Sequence, residues 1–124
     1  MADSEFQREF SAWLGRVCRE QQPPPSVKAF NIGLIETTDG YSAYLVGAGE
    51  YSEDDADWAC DEAFTPPERY FSIPGKWKGW EQVREAVVEA AKAFLASPEG
   101  AQSYLAAAQA VTVGFDDGDL ERVR

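Results

Sequence analysis

Two alternating apolar runs meet at an Asp-Gly pair in the stretch VKAFNIGLIETTDGYSAYLVGAGEY, residues 27–51. Phe30, Ile32 and Leu34 alternate with smaller or polar residues. Asp39-Gly40 supplies the turn chemistry, because glycine accepts backbone angles that tight hairpin turns demand. The pattern predicts a β-hairpin, which commits the chain to a sheet with one apolar face. Gly47 and Gly49, late in the second arm, predict a bulge or a close approach by another segment.

The period changes on either side. Phe6, Phe10, Trp13, Leu14 and Val17, with Cys18 beside them, recur at helical spacing and predict an amphipathic helix over 3–21, with Ser4 as candidate cap. Pro23-Pro24-Pro25 stops it. Trp80, Val83, Val87, Ala91, Phe94 and Leu95 form one stripe of a second helix over 79–96, with Trp80 expected in the core. Ser97-Pro98 ends that helix, and an alanine-rich third helix is expected from Ser97 or Glu99 to about Gln109. Residues 69–73 read as a short strand closed by Pro74-Gly75. VTVGF (111–115) and DLERV (119–123) read as a second hairpin whose polar arm suits a sheet edge. Together these elements predict an α+β fold: an antiparallel sheet of about four to five strands, with the N-terminal helix and two further helices packed on it. At 124 residues, without repeat or linker, one domain over 1–124 is expected.

The stretch EYSEDDADWACDE, residues 50–62, holds seven carboxylates and no base. Ser52-x-x-Asp55 and Thr65-x-x-Glu68 both fit a capped helix start, with Pro66 at a first helical position, so one or two short helical turns are expected. In such a turn Trp58 and Glu62 share a face. Trp58 is expected to turn inward with Cys60 and Phe64, pinning the stretch while its carboxylates splay outward. An acidic surface ordered in advance loses less entropy on association than a free tail. The rival reading leaves Trp58 exposed as an interface anchor. The candidate partner-binding residues are therefore Glu53, Asp54, Asp55, Asp57, Trp58, Asp61 and Glu62.

Several chemistries lose their parts list. The chain has no histidine, so Ser-His-Asp and Cys-His arrangements fail as normally built. No phosphate-cradling glycine motif is present. Paired carboxylates can divide acid and base roles, but no motif here points to the cleft such chemistry uses. A calcium loop of the EF-hand type needs an internal glycine that 50–62 lacks. No catalytic residue, metal or cofactor is expected. With 22 acidic against 11 basic residues the net charge is −11, a field that repels nucleic acid and anionic membranes and favours cationic partners. Lys76-Trp77-Lys78 is too small a basic patch to reverse that. Cys18 and Cys60 lack zinc-site company. Reduced thiols and a single disulfide both remain open, and the expected cytoplasmic location favours reduced thiols. That location rests on a polar, acidic N-terminal stretch and the lack of any span-length apolar run.

Two segments also carry a resemblance: GYSAYLVGAGEYSEDDADWACDEAF, followed shortly by proline, and VTVGFDDGDLERV. Within 30–66 and 111–123, under half of the chain, the sequence resembles small acidic bacterial proteins that accompany polymorphic or contact-delivered toxins, proposed as immunity proteins. The resemblance implies a cytoplasmic protein that binds and blocks one cognate toxin without catalysis. The alternatives on the same residues are a divalent-cation or small carboxylate-based enzymatic module, and an assembly or adaptor subunit.

Overall fold

A computed structural model of the chain describes residues 4–20, 22–52, 54, 58–59, 62–66, 68–116 and 118–124. Within them the fold is α+β, with helices on one face of a five-stranded sheet in the order β3-β2-β1-β4-β5. The elements are α1 (Ser4–Glu20), β1 (Ala29–Thr37), β2 (Gly40–Ala48), β3 (Tyr70–Ile73), α2 (Trp80–Ala96), α3 (Pro98–Ala101), α4 (Tyr104–Ala107), β4 (Ala110–Phe115) and β5 (Glu121–Arg122).

The hairpin forms as its alternation predicts, in unbroken register from Ala29↔Ala48 to Thr37↔Gly40. Its corner is Thr38-Asp39, one residue earlier than the Asp-Gly pair, and Gly40 opens β2. The sheet departs from the antiparallel expectation at one pairing, since β4 runs parallel to β1, from Ala29↔Ala110 to Leu34↔Phe115. The cause lies in the connection. A parallel neighbour needs a long crossover, usually helical, and α2 with α3 and α4 provides it between β3 and β4. The β4–β5 pair is antiparallel, as expected.

Even-numbered β1 residues face the helices. Phe30, Ile32 and Leu34 join Ala43 and Leu45 of β2 and Val111 and Val113 of β4 in the main core. Phe6, Phe10, Trp13, Leu14 and Val17 of α1 and Val83, Val87, Ala91 and Phe94 of α2 close over them, all at most 2% exposed. Trp13 stacks on Phe71 with centroids 5.3 Å apart, and its indole N–H donates to the Glu68 carbonyl at 2.6 Å. Gln22 donates its side-chain amide to the Cys18 carbonyl at 3.0 Å, satisfying one of the acceptors a helix end leaves open.

Two helical expectations change. The third helix is broken into α3 and α4. Ser97 caps α3 by accepting from the Gly100 amide at 3.1 Å, with Pro98 in the first turn. The Ser103 hydroxyl then takes the Gly100 carbonyl at 2.7 Å, an acceptor a continuous helix would use itself. Gly100 also lies hard against the end of α2, since a Cβ there would stand 1.7 Å from the Phe94 carbonyl oxygen. Second, Trp80 is 49% exposed, not buried. It sits in the first turn of α2, edge-on to Phe115 at 6.0 Å, while Trp77 takes the inner place against Phe6 at 5.6 Å.

Candidate functional site

The opposite face of the sheet is floored with small residues. Ala29, Ala48 and Ala110 are cross-strand neighbours on β1, β2 and β4. All three are at most 1% exposed, although none of α1 to α4 contributes to the cluster on that face. Trp58 covers them. It is 6% exposed and forms a second apolar cluster with the three alanines, Tyr51, Ala59 and Leu120. Tyr51 meets the Trp58 ring edge-on at 5.1 Å. Alongside, Thr112 donates its hydroxyl to Asn31 Oδ1 at 2.9 Å, which supplies a buried partner to each side chain.

Trp58 is buried, as the inward reading expects, but Phe64 does not accompany it. Phe64 lies in the main core on the helical face, edge-on to Phe30 at 6.4 Å and to Tyr104 at 6.1 Å. Its amide and carbonyl both bond Gly47, at 3.0 and 2.8 Å. The close approach expected at Gly47 is this contact, together with Val27, whose Cγ1 would stand 2.7 Å from a Cβ there. Trp58 and Phe64 therefore grip opposite faces of one sheet. Of the helical turns expected over 52–68, the described residues show a short 3₁₀ turn at Trp58 and Ala59. Ser52 accepts from the Asp54 amide at 3.3 Å, a hydroxyl turn two residues on. Among the described residues no helix starts at Thr65; the Glu68 side chain instead meets Arg16 at 3.4 Å.

Beside Trp58 lies a cavity of about 300 Å³, lined by Tyr51, Ser52, Asp54, Trp58, Thr112, Asp119, Leu120 and Arg122. Asp54 and Trp58 of the predicted set come together here. Glu62 does not: it is exposed and pairs with Arg69 at 3.4 Å, while Arg69 also lies over the Tyr70 ring at 4.8 Å. Glu53, Asp55, Asp57, Asp61 and Cys60 lie outside the described residues. Arg122 stands over the Tyr51 ring at 5.4 Å and donates to the main-chain carbonyls of Gln109 at 3.0 Å and Arg124 at 2.6 Å. Asp54 and Asp119 are exposed, and among the described residues neither forms an ion pair.

The sequence reading missed Tyr51, Thr112, Asp119, Leu120 and Arg122 as site residues. A usable signal was present. Ala29, Ala48 and Ala110 are small at strand positions that alternate with the main core, which leaves room for something large to lie flat. A second cavity, about 280 Å³, is lined in part by Cys18, Arg19, Glu99, Ser103 and Tyr104; Arg19 pairs with Glu99 there, while the buried Tyr104 hydroxyl has no hydrogen-bond partner among the described residues. Cys18 is a free, buried thiol. Burial pushes it up to about 11, against a smaller opposing pull from the adjacent Tyr104 and Ser103 hydroxyls. Such a thiol is a poor nucleophile at neutral pH.

Among the described residues no group of three or more Cys, Asp or Glu side chains is placed to hold a metal ion, and no helix is long and apolar enough to cross a membrane. What the arrangement offers is a mixed cavity, with Tyr51, Trp58 and Leu120 beside Ser52, Thr112 and Arg122, and with two carboxylates, Asp54 and Asp119, that form no ion pair among the described residues. Compared with family models, with curated proteins and with solved structures, the chain gives no match.

Proposed function

We propose that the protein is a non-catalytic binding protein, an immunity protein that neutralises a cognate bacterial toxin by direct contact through the acidic surface around Trp58. The observation that carries this reading is the burial of Trp58 on the small-residue face of the sheet. It ties an acidic stretch to a rigid support while leaving Asp54 and Glu62 exposed. Charges held this way accelerate encounter with a basic partner and disfavour acidic ones. The net charge of −11 extends the same field over the molecule. Asp54 and Asp119, exposed and without ion-pair partners among the described residues, suit contact with an external cation.

The test uses any protein encoded beside this chain that ends in a small basic domain. Reversing Asp54, Asp55 and Asp57 together to lysine is expected to slow association about tenfold or more at low salt and to flatten its salt dependence. Cells carrying the triple variant then lose protection. Unchanged affinity and salt slope would remove this stretch from the interface. A wild-type chain that protects against no neighbouring toxin would end the immunity reading.

A further inference from the structure

Tyr51, Trp58, Asp54 and Asp119 present one recognition chemistry from two separate segments of the chain. Tyr51 and Trp58 give aromatic walls in edge contact at 5.1 Å. Asp54 and Asp119, without ion pairs among the described residues, put carboxylates on the rim of the same cavity of about 300 Å³. Small-molecule sites run from about 300 to 1,000 Å³, so this one suits a single inserted side chain. The molecule already shows which kind of group the wall accepts: the Arg122 guanidinium stands over the Tyr51 ring at 5.4 Å. A flat guanidinium stacks on an aromatic face and offers forked N–H donors to carboxylates, whereas an ammonium is a point charge that keeps its water more tightly.

We infer that this cavity is an anchor pocket for one arginine side chain of a protein partner, set against the wall of Tyr51, Trp58 and Leu120 and held by the Asp54 and Asp119 carboxylates. The inference rests on the binding-protein reading and narrows it from a diffuse acidic surface to a single socket. It also extends the surface to Asp119, beyond the stretch that the acidic sequence marks. Arg122, anchored to two main-chain carbonyls, forms part of the wall.

The probe is a capped pentapeptide of glycines with one central arginine, titrated into the full chain by NMR. Matched peptides carry lysine, or citrulline, which keeps the shape of arginine without its charge. Saturable shifts are expected at the Trp58 indole and at Tyr51, Thr112 and Leu120. The citrulline peptide is expected to bind at least tenfold more weakly, and the lysine peptide to fall between. Asp119→Asn, an exposed change, is expected to weaken the arginine peptide about threefold to tenfold with an unaltered far-UV spectrum. Equal binding of arginine and citrulline would overturn the cationic assignment, and equal binding of lysine would overturn the guanidinium one. Shifts spread over exposed acids but absent from Trp58 and Tyr51 would overturn the pocket, as would no saturable shift at all. Those results leave the acidic surface standing if the triple reversal still slows the partner; because that reversal also alters Asp54 of the pocket, an unaffected triple variant would remove both the surface and the socket from the interface even with intact peptide binding.

Discussion

Replacing Trp58 with alanine separates a tryptophan that pins the sheet's second face from one that merely decorates a loop. The side chain is 6% exposed. A tryptophan buries about 150–250 Å², which at about 25 cal/mol per Å² amounts to roughly 4–6 kcal/mol as an upper bound. Its edge contact with Tyr51 contributes about 0.5–1.5 kcal/mol more. Removal also uncovers Ala29, Ala48 and Ala110, now at most 1% exposed. Partial collapse of the stretch onto the alanines recovers some of this, so the expected loss is about 3–4 kcal/mol, within the usual range for such truncations. Urea unfolding followed by far-UV circular dichroism measures it. Trp80→Ala is the matched control: at 49% exposure its loss is expected to stay near or below about 1 kcal/mol. A Trp58→Ala loss under about 1 kcal/mol, or a larger loss at Trp80, would refute the claim that the small-residue face is sealed by Trp58.

Gly100→Ala places a Cβ 1.7 Å from the Phe94 carbonyl oxygen, a main-chain atom that cannot swing aside, and is expected to destabilise by about 2–3 kcal/mol; wild-type stability in a thermal melt would contradict the α2–α3 packing. Cys18 makes stability fall in base. Its full contribution is present below the ordinary thiol value of 9.0, where both folded and unfolded chains keep the proton, and is lost as pH climbs through about 11. The difference is at most about 2.7 kcal/mol. Urea midpoints between pH 8 and 11 are expected to drop more steeply for the wild type than for Cys18→Ala, and parallel slopes would remove Cys18 as the cause.

Much of the fold was legible because its signals are local. The Phe6-to-Cys18 stripe is a complete helix face, and all six named residues are buried. The hairpin register follows from alternation around one turn. The parallel β1–β4 pair was not legible, because nothing near either strand states which distant partner lies beside it. For the site, the acidic stretch was conspicuous and Trp58 was rightly turned inward. Trp58 and Phe64 were expected together, since proximity in sequence suggests one destination. They lie on opposite faces of the sheet, and only the folded strands reveal that Asp119 and Arg122 stand beside Trp58. Trp80 misled because a helical stripe says nothing about how far the sheet beneath extends.

The β1–β4 pairing has a consequence for the order in which the protein comes into being on the ribosome. The first helix and the hairpin can fold as soon as they emerge. The second side of β1 waits for residues 110–115, several seconds later at about 5–20 residues per second. Through that interval Phe30, Ile32 and Leu34 lie along an open strand edge, the part of the nascent chain most exposed to wrong pairing. The Trp58 cavity waits longer still, because Asp119, Leu120 and Arg122 complete its wall. A partially synthesised chain therefore carries the acidic stretch without the cavity beside it, which is complete only once the β4–β5 hairpin is in place.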